Sequence, residues 1–452
     1  MSHFITSKDI PADGEHLKKG QLALPIAVCG IVAVVGMIIS AYLLFFNDHT
    51  AANVPADTVQ GRFAYSWLYA FIFFVSLSLG GAFWMILHHL SNSGWGISVR
   101  RLMEHLASVF PWMAIIAIPF FFPQVQKHLF EWMNMHREIM GEGASLYGNA
   151  KDALHHSHDP FEHLLYLKTF YMSLPFWLGR MISYFVLLGG GILWMRKLSI
   201  DQDHDTDPGI KRLIFSRKLA AGVMPIFGLV ATFLALDLAM ALDYKWFSTM
   251  FGVYYFAGCL LNGMALLILT SILLRKAGYL QTVMSPEHHH VMGKLTFAFV
   301  VFWGYINFDQ FFLIWYANIT EETSFFILRN TGNWNTANIA LVFGHFALPF
   351  LFLIRSDVKK TPMLMIPITI YLLVLHALDH YVLIMPERGP SLTLNSAAGA
   401  SLYPTGSVIW LDILAFITVG AFFFFFFLRA LTKTSLYPHR DPRILESANL
   451  FN

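Results

Sequence analysis

Cysteine is nearly absent. The 452 residues contain only Cys29 and Cys259, and both lie in apolar stretches. Two thiols cannot hold an ordinary four-thiolate iron–sulfur cluster, and no Cys-x-x-Cys-His stretch for covalent haem attachment occurs. The chain is therefore expected to carry no covalent redox centre, so any electrons it serves belong to a partner. Charge is also scarce: 13% of residues are charged and 56% are hydrophobic, with a mean hydropathy of +0.55. That balance excludes an ordinary soluble domain and points to a polypeptide that crosses a membrane repeatedly. The net charge of +2 says little, because the information lies in where the charges sit. The first twenty residues are polar and show no cleavage signal.

Ten apolar segments are long enough to span a hydrocarbon core of about 30 Å. They lie near 22–46, 63–90, 102–122, 175–197, 219–242, 248–275, 294–317, 335–355, 363–386 and 405–430. The expected fold class is all-α integral membrane, with a terminal segment 1–21, a ten-span domain 22–430 and a tail 431–452. Segment 162–174 mixes charge with aromatics and is expected to be an interfacial helix. The run Phe422–Phe427 is expected to face lipid or a partner helix.

Lys and Arg are distributed unevenly between alternate connecting segments. The set that includes both termini holds 21 of the 30. By the positive-inside rule both termini and the 198–218 loop are cytoplasmic, while 123–174 and 387–404 face outward.

Polar residues inside the spans carry the chemistry. The stretch Tyr371–Pro386, YLLVLHALDHYVLIMP, places His376, Asp379 and His380 at i, i+3 and i+4, on one helical face. A carboxylate at mid-membrane costs about 2.5–3.5 kcal/mol, so such groups usually face a protein interior or water and serve a function. Arg180, Asp237, Asp309, His345 and Asp412 are isolated polar groups in other spans. Glu104 and His105 stand near the cytoplasmic start of span three, and His88 and His89 near the end of span two. Together they suggest two half-paths for protons, since carboxylates and imidazoles exchange protons once burial shifts their pKa. Asp309, His345, His376, Asp379 and His380 are expected to converge between spans seven, eight and nine.

Plainer readings exist for several of these residues. His345 alone suits a packing role, Arg180 can snorkel to the interface, and Asp309, beside Asn307 and Gln310, suits helix–helix hydrogen bonding. Haem between His345 and His376 or His380 is disfavoured by the adjacent Asp379. The cluster His155, His156, His158 and Asp159 lacks the spacing of a structural zinc site, as do His288, His289 and His290. No metal site is expected.

Residues 291–323, VMGKLTFAFVVFWGYINFDQFFLIWYANITEET, carry a resemblance. Gly293-Lys294-Leu295, Phe302-Trp303, Tyr305, Trp315-Tyr316-Ala317-Asn318-Ile319 and Glu321-Glu322 resemble the NrfD-like membrane subunits of alternative complex III, a bacterial quinol:cytochrome c oxidoreductase. The second such subunit, the ActF type, is the most similar, and the wider family includes polysulfide reductase membrane subunits. The resemblance implies two four-helix bundles, spans 2–5 (about 63–242) and 6–9 (about 248–386), with spans one and ten peripheral. It implies a bacterial cytoplasmic-membrane protein of the respiratory chain. Quinol would be oxidised near the outer face, with the sibling NrfD-like subunit as the better candidate for the main site. Menaquinone or ubiquinone would be the quinone. The haem c and iron–sulfur clusters would sit in partners: an iron–sulfur subunit and multihaem and monohaem cytochrome c subunits. Small membrane subunits, lipids and a terminal cytochrome oxidase complete the implied assembly; nucleic acid is not expected. The chain itself would be a non-redox scaffold with a proton route.

A secondary transporter with Asp309 and the span-nine residues as coupling site is the alternative. Transporters favour broken helices at matching midplane positions. Spans three and nine carry Pro119 and Pro367, but span seven has no proline. A purely structural scaffold is the third reading.

The charge count predicts an orientation. Cysteines introduced at Ser145 or Ser391 should label from outside the cell and one at Ser199 should not; the reverse pattern sinks the orientation.

Overall fold

An apolar segment crossing a bilayer must satisfy every backbone N–H and C=O internally, which a helix does. The computed structural model describes residues 4–46, 59–140, 165–205, 210–388 and 409–451, and no strand occurs among them. Ten helices are long and apolar enough to cross a membrane. They are Ala23–Phe45, Val59–Ser91, Ile97–Phe121, Leu174–Gln202, Ile210–Leu242, Phe251–Lys276, Pro286–Ala317, Asn333–Leu353, Pro362–Arg388 and Ile409–Lys433, here spans one to ten. Several run beyond the expected apolar limits, because helix continues into flanking polar sequence. Span five begins at Ile210 and so takes in Lys211, Arg212, Arg217 and Lys218. Span seven begins at Pro286, behind a Ser285–His288 capping box. Of the expected interfacial helix 162–174, only one helical turn at 165–168 falls on the described residues. The segments expected to face outward, around His155–His163, Ser145 and 389–404, lie outside them.

Three spans are irregular. Span three is interrupted by 3₁₀ stretches at Phe110–Trp112 and Ile118–Phe121, which contain Pro111 and Pro119. Proline withholds an N–H and its ring crowds the preceding turn. Spans four and eight each contain a π stretch, at Tyr184–Leu188 and Leu341–Ala347. In span eight Pro349 supplies a local cause, because the carbonyl of His345 loses the N–H it would otherwise accept.

Spans two and six form the centre, each with 89% of its apolar window buried. They cross where Gly80 meets Gly263. A Cβ on Gly80 would stand 2.2 Å from the carbonyl oxygen of Cys259, and one on Gly263 would stand 2.7 Å from the Cα of Gly80. The next residue, Gly81, gives span three the same close approach, 2.8 Å from the backbone nitrogen of Ala107. Without a hydrophobic drive between helices in lipid, small residues that let backbones touch are what makes such packing favourable. Span two also packs against spans five, nine and ten, and span six against five, seven and nine. Span one lies on span ten, with Gly36 against Thr418.

The Phe422–Phe427 run departs from expectation. None of its rings is exposed, and Phe422, Phe423 and Phe427 are buried. Phe423 packs on Phe74 of span two, and Phe426 stacks on Trp112 at 4.4 Å. The apolar run is consumed inside this chain, because span ten covers spans two and three.

Both termini meet on one face. Leu436 N donates to the Glu15 carbonyl at 2.8 Å, Ile5 N to Asn449 Oδ1 at 2.8 Å, and Ser98 N to Ser447 Oγ at 3.2 Å. An even number of spans requires this. Ser199 is buried on that same face, so exposed Lys218 is the better negative position for labelling.

The glycine crossing has a measurable consequence. Gly80→Leu should lower the melting temperature of the purified protein sharply, since overpacking of this kind costs about 1–3 kcal/mol or more. Gly222→Leu on span five, where a Cβ meets nothing within 4 Å, should leave it unchanged. Equal melting temperatures for the two variants would contradict the crossing.

Candidate functional site

Span nine brings His376, Asp379 and His380 to the interior, all buried. One nitrogen or oxygen from each lies within 4.8 Å of the others. Asp379 accepts from the Tyr254 hydroxyl of span six at one oxygen, and from Trp303 Nε1 of span seven at the other, 3.2 Å away. His376 Nε2 meets Ser76 Oγ of span two at 2.8 Å, and its Nδ1 has no partner. His380 Nδ1 donates to the His376 carbonyl at 3.0 Å, so neutral His380 presents its lone pair at the unpartnered Nε2. His345, from the π stretch of span eight, lies tilted 4.2 Å from Trp303 and 6.3 Å from His376, ring centroid to ring centroid. Both its nitrogens are buried and unpartnered. Gly258 is what seats His376, because a Cβ there would stand 3.1 Å from its ring.

Four of the five residues expected to converge do so, across spans eight and nine. Asp309 does not. It is half-buried on a different face of span seven and makes no hydrogen bond or ion pair to a described residue. The helical turn decides this: Trp303, Ile306 and Gln310 take the inward face, and Asp309 falls beside it. The His376 and His380 rings lie 4.1 Å apart, centroid to centroid. A small cation is a geometric match to the three donors, although both Asp379 oxygens already accept hydrogen bonds.

A cavity of about 580 Å³ adjoins the cluster. Its walls are largely aromatic, with Trp246, Phe251, Phe308, Phe311, Phe325 and Phe326; Tyr254, Trp303 and Asp379 form its inner side, and Arg329, Asn335 and Asn338 its polar end. Exposed Tyr305 and Phe308 of span seven and Val342 and Phe343 of span eight line it as well, so it opens between these two helices toward the membrane side.

The remaining polar residues form separate, closed groups. Arg180 does not snorkel. Its guanidinium grips Asp237 bidentately at 2.9 and 2.7 Å, Tyr184 from the π stretch of span four donates to the same carboxylate, and the cation lies 3.8 Å over the Tyr171 ring. Asp412 accepts from Arg388 at 3.1 Å, Tyr381 at 3.0 Å and Ser66. Glu104 sits between Arg100 and Arg101 at 3.4 and 3.6 Å, and these reach on to Asp441 at 2.7 Å and Asp203 at 2.5 Å. His105 meets Arg196 at 3.3 Å. His88 and His89 are buried at the same end, their rings 5.3 Å apart, with His88 Nδ1 and His89 Nε2 unpartnered.

Tyr254, Trp303, Ser76 and Arg388 belong to these groups and do not stand out as sites in the sequence. Tyrosine and tryptophan read as ordinary apolar content there. Arg388, two residues beyond Pro386, reads as loop.

The chain matches no protein-family model, and a comparison with curated proteins finds no match.

On the face of the termini, His439 stands 3.6 Å from Asp203, with Arg101 and Arg440 nearby. Burial, then the charge of Arg440, pushes the His439 imidazole down to about 4; burial also raises Asp203 above the usual carboxylate value, against the pull of Arg101. Between about pH 4 and pH 6.5 the unfolded tail binds a proton at His439 that the docked tail refuses. Docking should therefore weaken as pH falls from 6.5 toward 4, with Asp203 contributing the opposite sign. Hydrogen exchange at residues 436–448, corrected for intrinsic rate, should rise over that window in the wild type and change little in His439→Gln. A flat wild-type profile would count against it.

Proposed function

We propose that this chain is an integral membrane subunit of a bacterial quinol:electron acceptor oxidoreductase of the alternative complex III type, supplying scaffold and a proton route. In this reading its termini are cytoplasmic, and spans 2–5 and 6–9 form two four-helix bundles with spans one and ten outside. The packing supports that division. Span two touches three and five as span six touches seven and nine, while spans two and six join the halves.

The observation that carries the reading is the Asp379 cluster. A carboxylate, a phenol and three imidazoles stand within contact reach in the membrane interior, and nitrogens of His345, His376 and His380 are free to accept. Such groups hand protons along when a neighbour changes charge. Cys29 and Cys259 lie on different helices, spans one and six, so electrons would travel through haem and iron–sulfur groups of partner chains.

The aromatic cavity favours a second reading, in which quinone itself enters this chain. Its volume and membrane-side mouth suit a lipophilic ring. Oxidation of a bound quinol would pass two electrons to the haem and iron–sulfur groups of partner chains and release two protons. Asp379 and Tyr254 would orient its hydroxyl, and the open histidine nitrogens would take up both protons.

The test is Asp379→Asn in the reconstituted complex. The proton-to-electron ratio should fall at least twofold while the complex assembles normally. An unchanged ratio and turnover would sink the route through Asp379, and failed assembly would make the cluster structural. An autonomous transporter would instead purify alone, without haem-bearing partners.

A further inference from the structure

Span seven is the least buried of the ten helices, with 22% of its apolar window covered. Its outward face reads Tyr305, Phe308, Phe312, Trp315 and Tyr316, all exposed, with Asp309 in their midst. Trp315 and Tyr316 suit the membrane interface, where aromatic belts lie. At about 1.5 Å per residue, Asp309 is about 9 Å below that belt and about 21 Å from Leu295 at the other end of the apolar stretch. It is thus well within the hydrocarbon, half-buried at the edge of this exposed aromatic face, and without a partner among the described residues. Span one is different: Leu24, Val28, Ile31, Val34, Val35, Ile38 and Ile39 are exposed, and Tyr42, near its end, is its single exposed aromatic. A carboxylate open to lipid costs several kcal/mol, and aromatic side chains are what protein interfaces concentrate.

We infer that the outward face of span seven is covered by a transmembrane helix of another polypeptide, and that this helix carries a Lys, Arg or His side chain at the depth of Asp309. A second copy of this chain does not fit. A symmetric pair would set the two Asp309 carboxylates opposite each other at equal depth, and the stretch Leu295–Ala317 contains no Lys or Arg to answer them. The inference stands on the membrane placement of this helix and needs no redox role.

The experiment uses the chain in its native membrane. A photo-crosslinking amino acid is placed at Phe312, and at Ile31 on span one as the control. Phe312 should join a transmembrane peptide of a different polypeptide that contains a basic residue, and Ile31 should join lipid. Asp309→Leu should lower recovery of that polypeptide with this chain at least tenfold, at unchanged yield and melting temperature of the chain itself. Asp309→Lys combined with the partner's basic residue changed to Asp should restore it. Crosslinking of Phe312 to lipid only, to a second copy or to segments 141–164 or 389–408 of this chain would overturn the inference. So would an Asp309→Leu protein that retains its partner in full.

Discussion

The architecture depends on two backbones touching. Where Gly80 meets Gly263 no side chain separates spans two and six, and Gly81 brings span three in with equal closeness. In lipid, helix association draws on contact and hydrogen bonding rather than on escape from water. Contact of this kind cannot be adjusted without moving everything attached to it. Span two presents Ser76 to His376, and span six presents Tyr254 to Asp379 and Gly258 to His376. The polar cluster is consequently registered by the central pair, although its own histidines and carboxylate sit on span nine.

The buried charges divide into two kinds. Asp237, Asp412 and Glu104 each face at least one guanidinium; both oxygens of Asp237 and Asp412 accept hydrogen bonds, while Glu104 is held by charge alone, between Arg100 and Arg101. Breaking one such pair by removing a single partner costs about 3–5 kcal/mol, because the other charge stays behind. Asp379 has no cation beside it. Its partners are a phenol and an indole, and its neighbours are imidazoles with open nitrogens. A group held by neutral donors can gain or lose a proton without stranding a counter-charge, which a guanidinium-paired carboxylate cannot.

Much of the fold is legible in the sequence, since ten apolar stretches follow directly from what hydrocarbon tolerates. The face shared by His376, Asp379 and His380 is legible for the same reason: helical spacing is arithmetic. Which face of a neighbouring helix turns inward is not. Asp309 sits at the right depth but on the wrong azimuth, because Trp303 and Gln310 take the interior side of span seven. Tyr254 and Trp303 are hidden among their own kind, because aromatic residues make up 16% of the chain, and only proximity distinguishes these two. The Phe422–Phe427 run points the wrong way in the opposite sense, since hydrophobicity cannot tell lipid from Phe74 and Trp112.

The π stretches in spans four and eight change how length relates to direction. One residue turns an α-helix by about 100°, and a π turn holds an additional residue, so side chains beyond it are out of phase with those before. Trp334 and Ala337 face inward ahead of the stretch in span eight, Leu341 and His345 do so within it, and Pro349 and Leu353 after it. Deleting one residue there would close the π turn into an α turn and leave the flanking helix in place, whereas a deletion elsewhere in the span would swing everything beyond it. The same holds for Tyr184 in span four. Each of these helices can therefore absorb the loss of a residue at one place near its middle without turning its far end, yet in each that place delivers a side chain to a polar group: Tyr184 to Asp237, and His345 to the span-nine histidines.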